Sequence, residues 1–395
     1  MKNLWNVKKA SACKSDLDTR VYSSNLLGQS DELVLHGGGN TSVKTQIDGE
    51  DILLVKGSGW DLVSIKSEGF APVKLATLLD MAKLPTLSDS DMVSGQKAAM
   101  TDKSAPNPSV EAILHALIPY KFVDHTHADA VVTISNSENG IEDIKKVFPN
   151  FLIVDYVMPG FVLAHTIYEM TKELDWSTIE GIILHNHGIF TFDDDARESY
   201  EKMIDAVSQA EVFLAQNAKL QIAQNFEHSE CDMQRIVRVL SEAKGYDVSI
   251  NINQTPLANY YASQDNLREF ATRGVLTPEH IIRTKRVPLI MEDTDLEAGV
   301  ARYMKEYEEY FNAHSNGEVM LNAAPNYMVI KNLAIISFGK TPKEAAIIND
   351  IVDHTMRAVL HADKLGGYKS ISLEDSFAME YWELEQAKLK KGMGL

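Results

Sequence analysis

The chain has 395 residues, with 38 basic and 56 acidic side chains and a formal net charge of −18. A hydrophobic content of 45% with 24% charged residues is typical of a globular protein of two or three domains and excludes a disordered chain. The negative charge argues against nucleic acid as a partner, and two cysteines exclude both a disulfide framework and a thiolate zinc cluster. The N-terminus lacks the apolar core of a signal peptide, and no apolar run is long enough to span a membrane. We therefore expect a cytoplasmic protein without a membrane partner.

Hydrophobic periodicity predicts the secondary structure in chain order. The predicted strands of the first half lie at 33–35, from Asn40 to Val43, and at 51–55, 122–133 and 182–184. Helices are predicted at 71–84, from Val110 onward and at 195–220, with a polar loop around 87–108.

The second half contains a segment similar to the first. Residues 330–346 align on residues 184–200 with an offset of 146, so that Asn332 matches Asn186, and a second long helix is predicted at 343–364. Two unrelated strand–helix units would also look alike, and a degenerate repeat is the alternative. Leu333 stands where the first copy has His187, so the second copy would lack that histidine. A polar segment at 222–235 predicts a domain boundary, giving domains 1–225 and 226–395.

Two histidine pairs point to a metal site. His125 and His127 flank one residue in a predicted strand, where residues i and i+2 project from one face. His185 and His187 repeat this spacing at the end of another predicted strand. Three neutral imidazoles with an open fourth position are the ligands of a catalytic zinc ion. Either pair alone would be read as ordinary strand histidines, whereas both together favour a metal site.

Glu111 is the candidate carboxylate. It lies at the start of a predicted helix, 14 residues before the first histidine of the pair, His125. One interpretation is an acidic residue placed favourably against the helix dipole. The other is a carboxylate beside the metal, acting as a fourth ligand or as a proton shuttle.

Three short loops are suited to an anion. Glycine turns at 37–41 and 56–59 expose backbone N–H groups, and Ser109 lies at a helix start where free N–H groups favour negative charge. We expect a helix-compatible segment after residue 59. None of the loops matches a Walker loop or a G-x-G-x-x-G dinucleotide motif. Together, upstream of the histidines, they suggest phosphate recognition.

With these motifs the sequence resembles the class II aldolase/adducin family over residues 15–220. The shared motifs are Gly-Gly-Asn-Thr-Ser, a Ser-Gly loop, Pro-Ser-x-Glu, His-x-His and a late His-Gly. Longer runs are similar to the aldolase part of bacterial rhamnulose-1-phosphate aldolase/short-chain dehydrogenase fusion proteins. They occupy residues 35–44, 55–62, 124–129, 277–285 and 380–389. In those fusions a dehydrogenase part follows, and we expect none in this chain, where no nucleotide-binding glycine motif is found.

The resemblance implies an α/β fold with three α/β/α layers around a mixed or antiparallel sheet, and a smaller C-terminal α/β unit. It implies Zn²⁺, or another divalent metal, held by His125, His127 and His187, with Glu111 as the catalytic acid/base. The residues it assigns to the phosphate pocket are Asn40, Ser58, Gly59 and Ser109. Relatives often carry two serines before the glutamate, and Val110 replaces the second one. The resemblance assigns no residue here to the tyrosine acid found in the family.

The activity implied is reversible cleavage of a ketose 1-phosphate, such as rhamnulose 1-phosphate, into dihydroxyacetone phosphate and a short aldehyde such as lactaldehyde. The expected partners are therefore a small phosphorylated sugar and further copies of the chain, in a homo-oligomer that is often a tetramer in this family. Two alternatives use the same site: a pentulose-phosphate 4-epimerase and a decarboxylase of phosphorylated keto-acids. A third is a non-catalytic, adducin-like interaction module, which predicts lost metal ligands, whereas the three histidines and Glu111 are all present.

Overall fold

The computed structural model describes residues 1–222 and 231–384. The chain divides into two compact units. Unit 1 comprises residues 1–135 and 140–215, and unit 2 comprises residues 136–139 and the chain from residue 216 onward. The boundary expected at 225/226 lies outside the described residues, so the division into domains 1–225 and 226–395 stays a prediction.

Unit 1 is built on a seven-stranded sheet. Its strands are β1 (Asn40–Ile47), β2 (Glu50–Lys56), β3 (Phe70–Lys74), β4 (Phe122–Thr126), β5 (Phe151–Val154), β6 (Gly181–Leu184) and β7 (Gly188–Asp193). The spatial order is β3-β2-β1-β4-β7-β6-β5. Every neighbouring pair is antiparallel except β5 and β6, which are parallel. The sheet is therefore mixed, with β4 at its centre.

Nine helices accompany these strands in the described part of unit 1. They are α1 (Val7–Ala10), α2 (Asp16–Leu27), α3 (Leu75–Ala82), α4 (Asp89–Ala98), α5 (Ala112–Leu117), α6 (Asp129–Ser135), α7 (Gly140–Val147), α8 (Phe161–Thr171) and α9 (Ala196–Asn217). Polar caps set where several begin: the Ser15 side chain accepts the Asp18 N–H at the start of α2, and Ser88 does the same for Asp91 at α4.

The strand β2 shows how the sheet is covered on both faces. Leu53 and Val55 pack into a core with α3, α5 and α8, while Ile52 and Leu54 pack on the opposite face with Leu17 of α2. This alternation follows from the two-residue period of a strand. Helices thus cover both faces of one mixed sheet, which confirms the three-layer α/β/α fold.

Unit 2 contains a four-stranded sheet. Its strands are β8 (Ser249–Asn253), β9 (Leu289–Met291), β10 (Tyr327–Ile330) and β11 (Ala334–Gly339), in the order β8-β11-β10-β9. The described helices are α10 (Met233–Lys244), α11 (Pro256–Ala262), α12 (Leu267–Ala271), α13 (Ile281–Thr284), α14 (Leu296–His314), α15 (Pro342–Lys364) and α16 (Leu373–Glu380). Throughout the described ranges of both units, no helix combines the length and apolarity that crossing a bilayer requires.

The unit 2 sheet repeats part of the unit 1 sheet. The order β8-β11-β10-β9 reproduces β4-β7-β6-β5, with the same single parallel pair at one edge. The turns that join β6 to β7 and β10 to β11 each contain an asparagine of left-handed conformation, Asn186 (φ 59°) and Asn332 (φ 60°). Long helices, α9 and α15, follow both hairpins. These features support the interpretation of unit 2 as a degenerate repeat.

Several predicted elements are correct and others are wrong. The strand at 51–55 and the long helices at 195–220 and 343–364 are confirmed by β2, α9 and α15. The strand predicted at 122–133 is wrong beyond Thr126, because α6 follows. Every residue of α6 is buried, so it has no polar face from which a helical period could be read.

Four further predictions fail in the first half of the chain. Leu33 lies in a turn, and residues 34–35 form no regular secondary structure. The helix predicted at 71–84 begins only at Leu75, since Phe70–Lys74 pairs with β2 as an added strand. The polar segment at 87–108 contains α4, and residues 60–66 after the second glycine loop are not helical. Pairing and packing with distant segments decide these elements.

Candidate metal centre and active site

Three histidines meet at the end of β4. His125 lies in β4, His127 follows that strand, and His187 lies in the turn between β6 and β7. Antiparallel pairing of β4 with β7 brings this turn beside the strand end. One ring nitrogen from each histidine lies within 4.8 Å of the others, and the Nε2 atoms of His125 and His127 are 3.1 Å apart. His185, the partner of His187 in the predicted pair, is not in this group.

The contacts of His125 orient its ring toward the group. Its Nδ1 lies 3.1 Å from the carbonyl oxygen of Ile189, so an Nδ1–H donates there and the ring lone pair lies on Nε2, which faces the group. The ring also stacks on Phe190, with centroids 4.0 Å apart and planes inclined by 13°. Both contacts come from β7, so strand pairing itself sets this side chain.

Glu111 lies directly beside the histidines. It is the N-cap residue of α5 and only 6% exposed. Its Oε2 is 3.5 Å from His125 Nε2, and its Oε1 is 3.6 Å from His187 Nε2. The Asn40 side chain donates from Nδ2 to Oε2 across 2.5 Å. Oε1 is buried and has no hydrogen-bond partner among the residues that the structure describes.

This donor set fits a divalent transition metal. Three imidazole nitrogens converge from fixed backbone positions, and borderline metals such as zinc prefer such nitrogen ligands. The buried oxygen of Glu111 without a protein partner lies on the same side as these nitrogens. A cation there would supply the positive counter-charge for this carboxylate oxygen.

The three predicted anion loops are brought together by hydrogen bonds. Lys56 Nζ donates to the Gly37 carbonyl at 3.1 Å, and the Ser109 N–H donates to the Lys56 carbonyl at 3.1 Å. The Ser58 N–H donates to the Asn107 carbonyl at 2.8 Å. The N–H groups of Ser58 and Ser109 are therefore used within the protein, and phosphate recognition by these loops stays a prediction.

Other groups in these loops remain exposed. Ser58 and Gly59 lie on the surface, and Gly59 has a left-handed backbone (φ 87°) with open space around its Cα. The Ser109 hydroxyl accepts the Glu111 N–H at 3.3 Å, which leaves its own proton to donate. Side-chain hydroxyls and the Gly59 backbone are thus the groups that this region presents.

Sequence reasoning missed His115. This fully buried residue bonds through Nε2 to Asn40 Oδ1, and its Nδ1 is 2.8 Å from Ser42 Oγ. Burial, the largest cause, holds the pKa of His115 well below its ordinary value, although the charge of Glu111 acts in the opposite direction. The spacing Glu111-x-x-x-His115 was the available signal, because residues i and i+4 share one helix face.

A buried ion pair was also missed. Arg20 of α2 pairs with Asp124 of β4, and both side chains are completely buried. Ser199 of α9 donates to the second oxygen of Asp124 at 2.5 Å. Asp124 and His125 are neighbours on β4, so their side chains point to opposite faces of the sheet. The ion pair therefore holds β4 in place from the sheet face opposite to His125.

The equivalent positions in unit 2 hold no histidines. In the sheet of unit 1, His125 pairs with Phe190, and the offset of 146 matches Phe190 with Ile336. Ile336 pairs with Ile252, which therefore stands where His125 stood. Gln254, two residues after Ile252, stands where His127 stood, and Leu333 stands where His187 stood. The metal-ligand pattern of unit 1 is not reproduced at these positions.

Comparisons with known proteins cover both units. Residues 20–214 match the model of the class II aldolase and adducin N-terminal domain, and residues 228–389 match the model described as aldolase class II, second domain. The N-terminal class II aldolase domain of a conserved protein from Thermoplasma acidophilum is 42% identical, with a TM-score of 0.50 over 54% of this chain and 99% of that chain. An L-fuculose-1-phosphate aldolase from Thermus thermophilus is 16% identical, with a TM-score of 0.34 over 50% of this chain and 95% of its own.

A curated relative from Bacillus subtilis (strain 168) extends the similarity to nearly the whole chain. It is named "uncharacterized oxidoreductase YuxG" and is 28% identical over 425 residues. The match covers 98% of this chain and 60% of the relative. The chain thus spans about three fifths of the length of the curated relative that it matches.

Proposed function

The chain belongs to the class II aldolase and adducin family, and from this premise we propose that it is a metal-dependent aldolase acting on a phosphorylated sugar. The proposed reaction is reversible cleavage of a ketose 1-phosphate of the rhamnulose 1-phosphate type into dihydroxyacetone phosphate and a short aldehyde such as lactaldehyde. One observation carries the proposal. The buried carboxylate of Glu111 lies beside three converging histidines, and its Oε1 accepts no hydrogen bond from the described residues.

We propose Zn²⁺ as the metal, held by His125, His127 and His187. When bound, such a cation would stabilise the negative charge that develops on substrate oxygens as the carbon–carbon bond breaks. The protein supplies fixed ligands for it. His125 is held by Ile189 and Phe190 of the neighbouring strand, so little reorganisation is needed on binding.

Glu111 is the proposed proton carrier. Its Oε2 is occupied by the Asn40 N–H, so Oε1 is the oxygen free to take a proton from the substrate or return one. Burial excludes water, which would compete for the proton at the reacting carbon.

The phosphate is proposed to bind at Asn40, Ser58, Gly59 and Ser109. In this proposal the donors are the N–H of Gly59 and the hydroxyls of Ser58 and Ser109; Ser58 and Gly59 are exposed and Ser109 is half-buried. Asn40 Nδ2 carries two protons, of which one bonds to Glu111 and the other is available. Val110 contributes no hydroxyl where relatives often have a second serine. In this proposal the donors named above therefore make all the hydrogen bonds to the phosphate.

The test is an assay of several ketose 1-phosphates, coupled to detection of dihydroxyacetone phosphate, on wild type and Glu111→Gln. Loss of the carboxylate should lower kcat by about 10²–10⁴-fold, with bound zinc retained. Glu180→Gln is the matched control, because Glu180 is an exposed glutamate of the same unit. Full activity in Glu111→Gln, or after complete removal of metal, would overturn the proposal.

The same assay separates the alternatives. An epimerase would convert a pentulose phosphate without releasing dihydroxyacetone phosphate, and a decarboxylase would release carbon dioxide from a phosphorylated keto-acid. An adducin-like module would bind no stoichiometric metal. We also propose a homo-oligomer, with a tetramer as the expected form, for which light scattering gives the molar mass.

A further inference from the structure

A continuous chain of hydrogen bonds leads from the interior of unit 1 to the proposed proton carrier. Ser42 Oγ is 2.8 Å from His115 Nδ1, and His115 Nε2 bonds to Asn40 Oδ1. Asn40 Nδ2 then donates to Glu111 Oε2 at 2.5 Å. Ser42 and His115 are completely buried, and Asn40 and Glu111 are each 6% exposed. Water therefore has little access to compete for any of these bonds.

Local backbone geometry builds this chain from two short-range pairs. Asn40 and Ser42 are two residues apart on β1, so their side chains project from one face of the sheet. Glu111 and His115 are four residues apart across the first turn of α5, where the His115 N–H donates to the Glu111 carbonyl at 3.1 Å. The tertiary fold places Glu111 and His115 beside the two side chains of β1.

The chemistry of the four groups gives the chain one direction. An ionised Glu111 only accepts hydrogen bonds, so Asn40 must turn its Nδ2 donor toward it and its Oδ1 acceptor toward His115. His115 must then donate from Nε2. In a neutral imidazole Nδ1 is the acceptor, which the Ser42 hydroxyl satisfies. Burial favours the neutral ring that this arrangement requires.

His115 is itself held rigidly. Lys44 Nζ donates to its carbonyl oxygen at 2.9 Å, and its ring meets the Phe190 ring edge-on with centroids 5.4 Å apart. Phe190 also stacks on His125. The imidazole therefore cannot rotate away from Asn40 without disturbing packing beside the histidine cluster.

We propose that His115 is a positioning residue, which holds the Asn40 amide with Nδ2 on Glu111 Oε2 and thereby leaves Oε1 as the oxygen that transfers the proton. This inference rests on the proposed function of Glu111. Without the Nε2–H donor, the Asn40 amide can turn over and present Oδ1 to the carboxylate. Two acceptors would then face each other, and Glu111 would rotate to relieve the repulsion.

The kinetic test uses His115→Phe, which keeps an aromatic ring and removes both nitrogens. We expect kcat to fall about 10–100-fold, the size of effect typical of groups that orient active-site ligands, while KM and zinc stoichiometry stay near wild type. His115→Gln should recover part of the loss, because its amide N–H can donate to Asn40. His165→Phe is the matched control: His165 bonds to the Ala82 carbonyl, away from this chain, and its loss should leave kcat unchanged.

A double-mutant cycle decides whether His115 acts through Asn40. If it does, His115→Phe has no further effect on kcat in the Asn40→Ala background, whereas a purely structural role gives the same fold-change in both backgrounds. Equal effects in the two backgrounds, or wild-type kcat in His115→Phe, would refute the proposal.

A second measurement is independent of activity. In ¹⁵N-histidine NMR spectra, the His115 ring, identified by its absence from His115→Phe, should be neutral with the proton on Nε2. A proton on Nδ1, or on both nitrogens near neutral pH, contradicts the proposed hydrogen-bond direction. If wild type cleaves no ketose 1-phosphate, the proposed function fails, and the tautomer still decides whether His115 orients Asn40.

Discussion

Replacing Arg20 with methionine tests how the sheet holds the histidine cluster in place. Arg20 is completely buried and pairs with Asp124. Its guanidinium also lies 3.2 Å from Ser24 Oγ and 3.4 Å from the carbonyl oxygens of Ser42 and Val123. Methionine fills the space of the side-chain stem and supplies none of these donors. Among the described residues, the Asp124 carboxylate would then keep only the hydrogen bond from Ser199 of α9.

The expected loss follows from these contacts. Removing one partner of a buried ion pair costs about 3–5 kcal/mol, because the remaining charge is left uncompensated in a low-dielectric interior. Each buried carbonyl that loses a donor adds about 1 kcal/mol or more. We therefore expect Arg20→Met to lower the unfolding free energy of unit 1 by at least about 3 kcal/mol. Adding Asp124→Asn should restore more than half of this loss, since the unpaired charge disappears.

Urea unfolding monitored by tryptophan fluorescence measures this effect. Unit 1 contains Trp5, Trp60 and Trp176, three of the four tryptophans in the chain. Lys172→Met is the matched control, because it breaks an exposed pair with Glu169 and should leave the transition where it is. A loss below about 1 kcal/mol in Arg20→Met, or a double variant no more stable than the single one, would refute the reasoning.

Three further predictions concern the site and its surroundings. Gly188→Ala should lower zinc affinity by at least about tenfold in a competition titration, because a Cβ there would lie 2.4 Å from the Thr126 carbonyl and 3.0 Å from the His125 ring; unchanged affinity would contradict this. Zinc at a hundredfold excess over its Kd should raise the stability of the wild type by about 2.7 kcal/mol in thermal unfolding. The same zinc concentration should stabilise His187→Asn far less. Equal stabilisation of the two proteins would mean that the metal binds elsewhere. Burial lowers the pKa of Lys44 to about 7, so the folded protein binds fewer protons than the unfolded chain from that pH up to the ordinary lysine value of 10.5. Its contribution to stability should therefore rise with pH across this window, and urea titrations of Lys44→Met should show a smaller rise than wild type; parallel curves would contradict the assignment.

Short-range spacing made part of the site readable from the sequence. His125 and His127 are separated by one residue at a strand end, and Glu111 begins the preceding helix, so local geometry fixes where each side chain points. His187 was named through the resemblance to aldolases, because spacing alone favoured His185 equally. Only the pairing of β4 with β7 separates these two.

Residues that act through distant contacts were not readable. His115 looks like any buried helical residue until Asn40, 75 positions away in the chain, is placed against its ring. Arg20 would be expected on the surface, and only Asp124 of a distant strand makes its burial possible. Neither contact leaves a periodic pattern in the sequence.

The sequence by itself indicated the two histidines of β4, the candidate carboxylate and the long helices, because each depends on residues within a few positions of one another. The fold class was expected from the resemblance to class II aldolases. The tertiary structure decided which histidine completes the group, that α6 is a helix, and that the Ser58 and Ser109 N–H groups are already used. These outcomes depend on strand pairing and on burial from both sides of the sheet. Such contacts join residues far apart in the chain, so their energies have no signature in local composition.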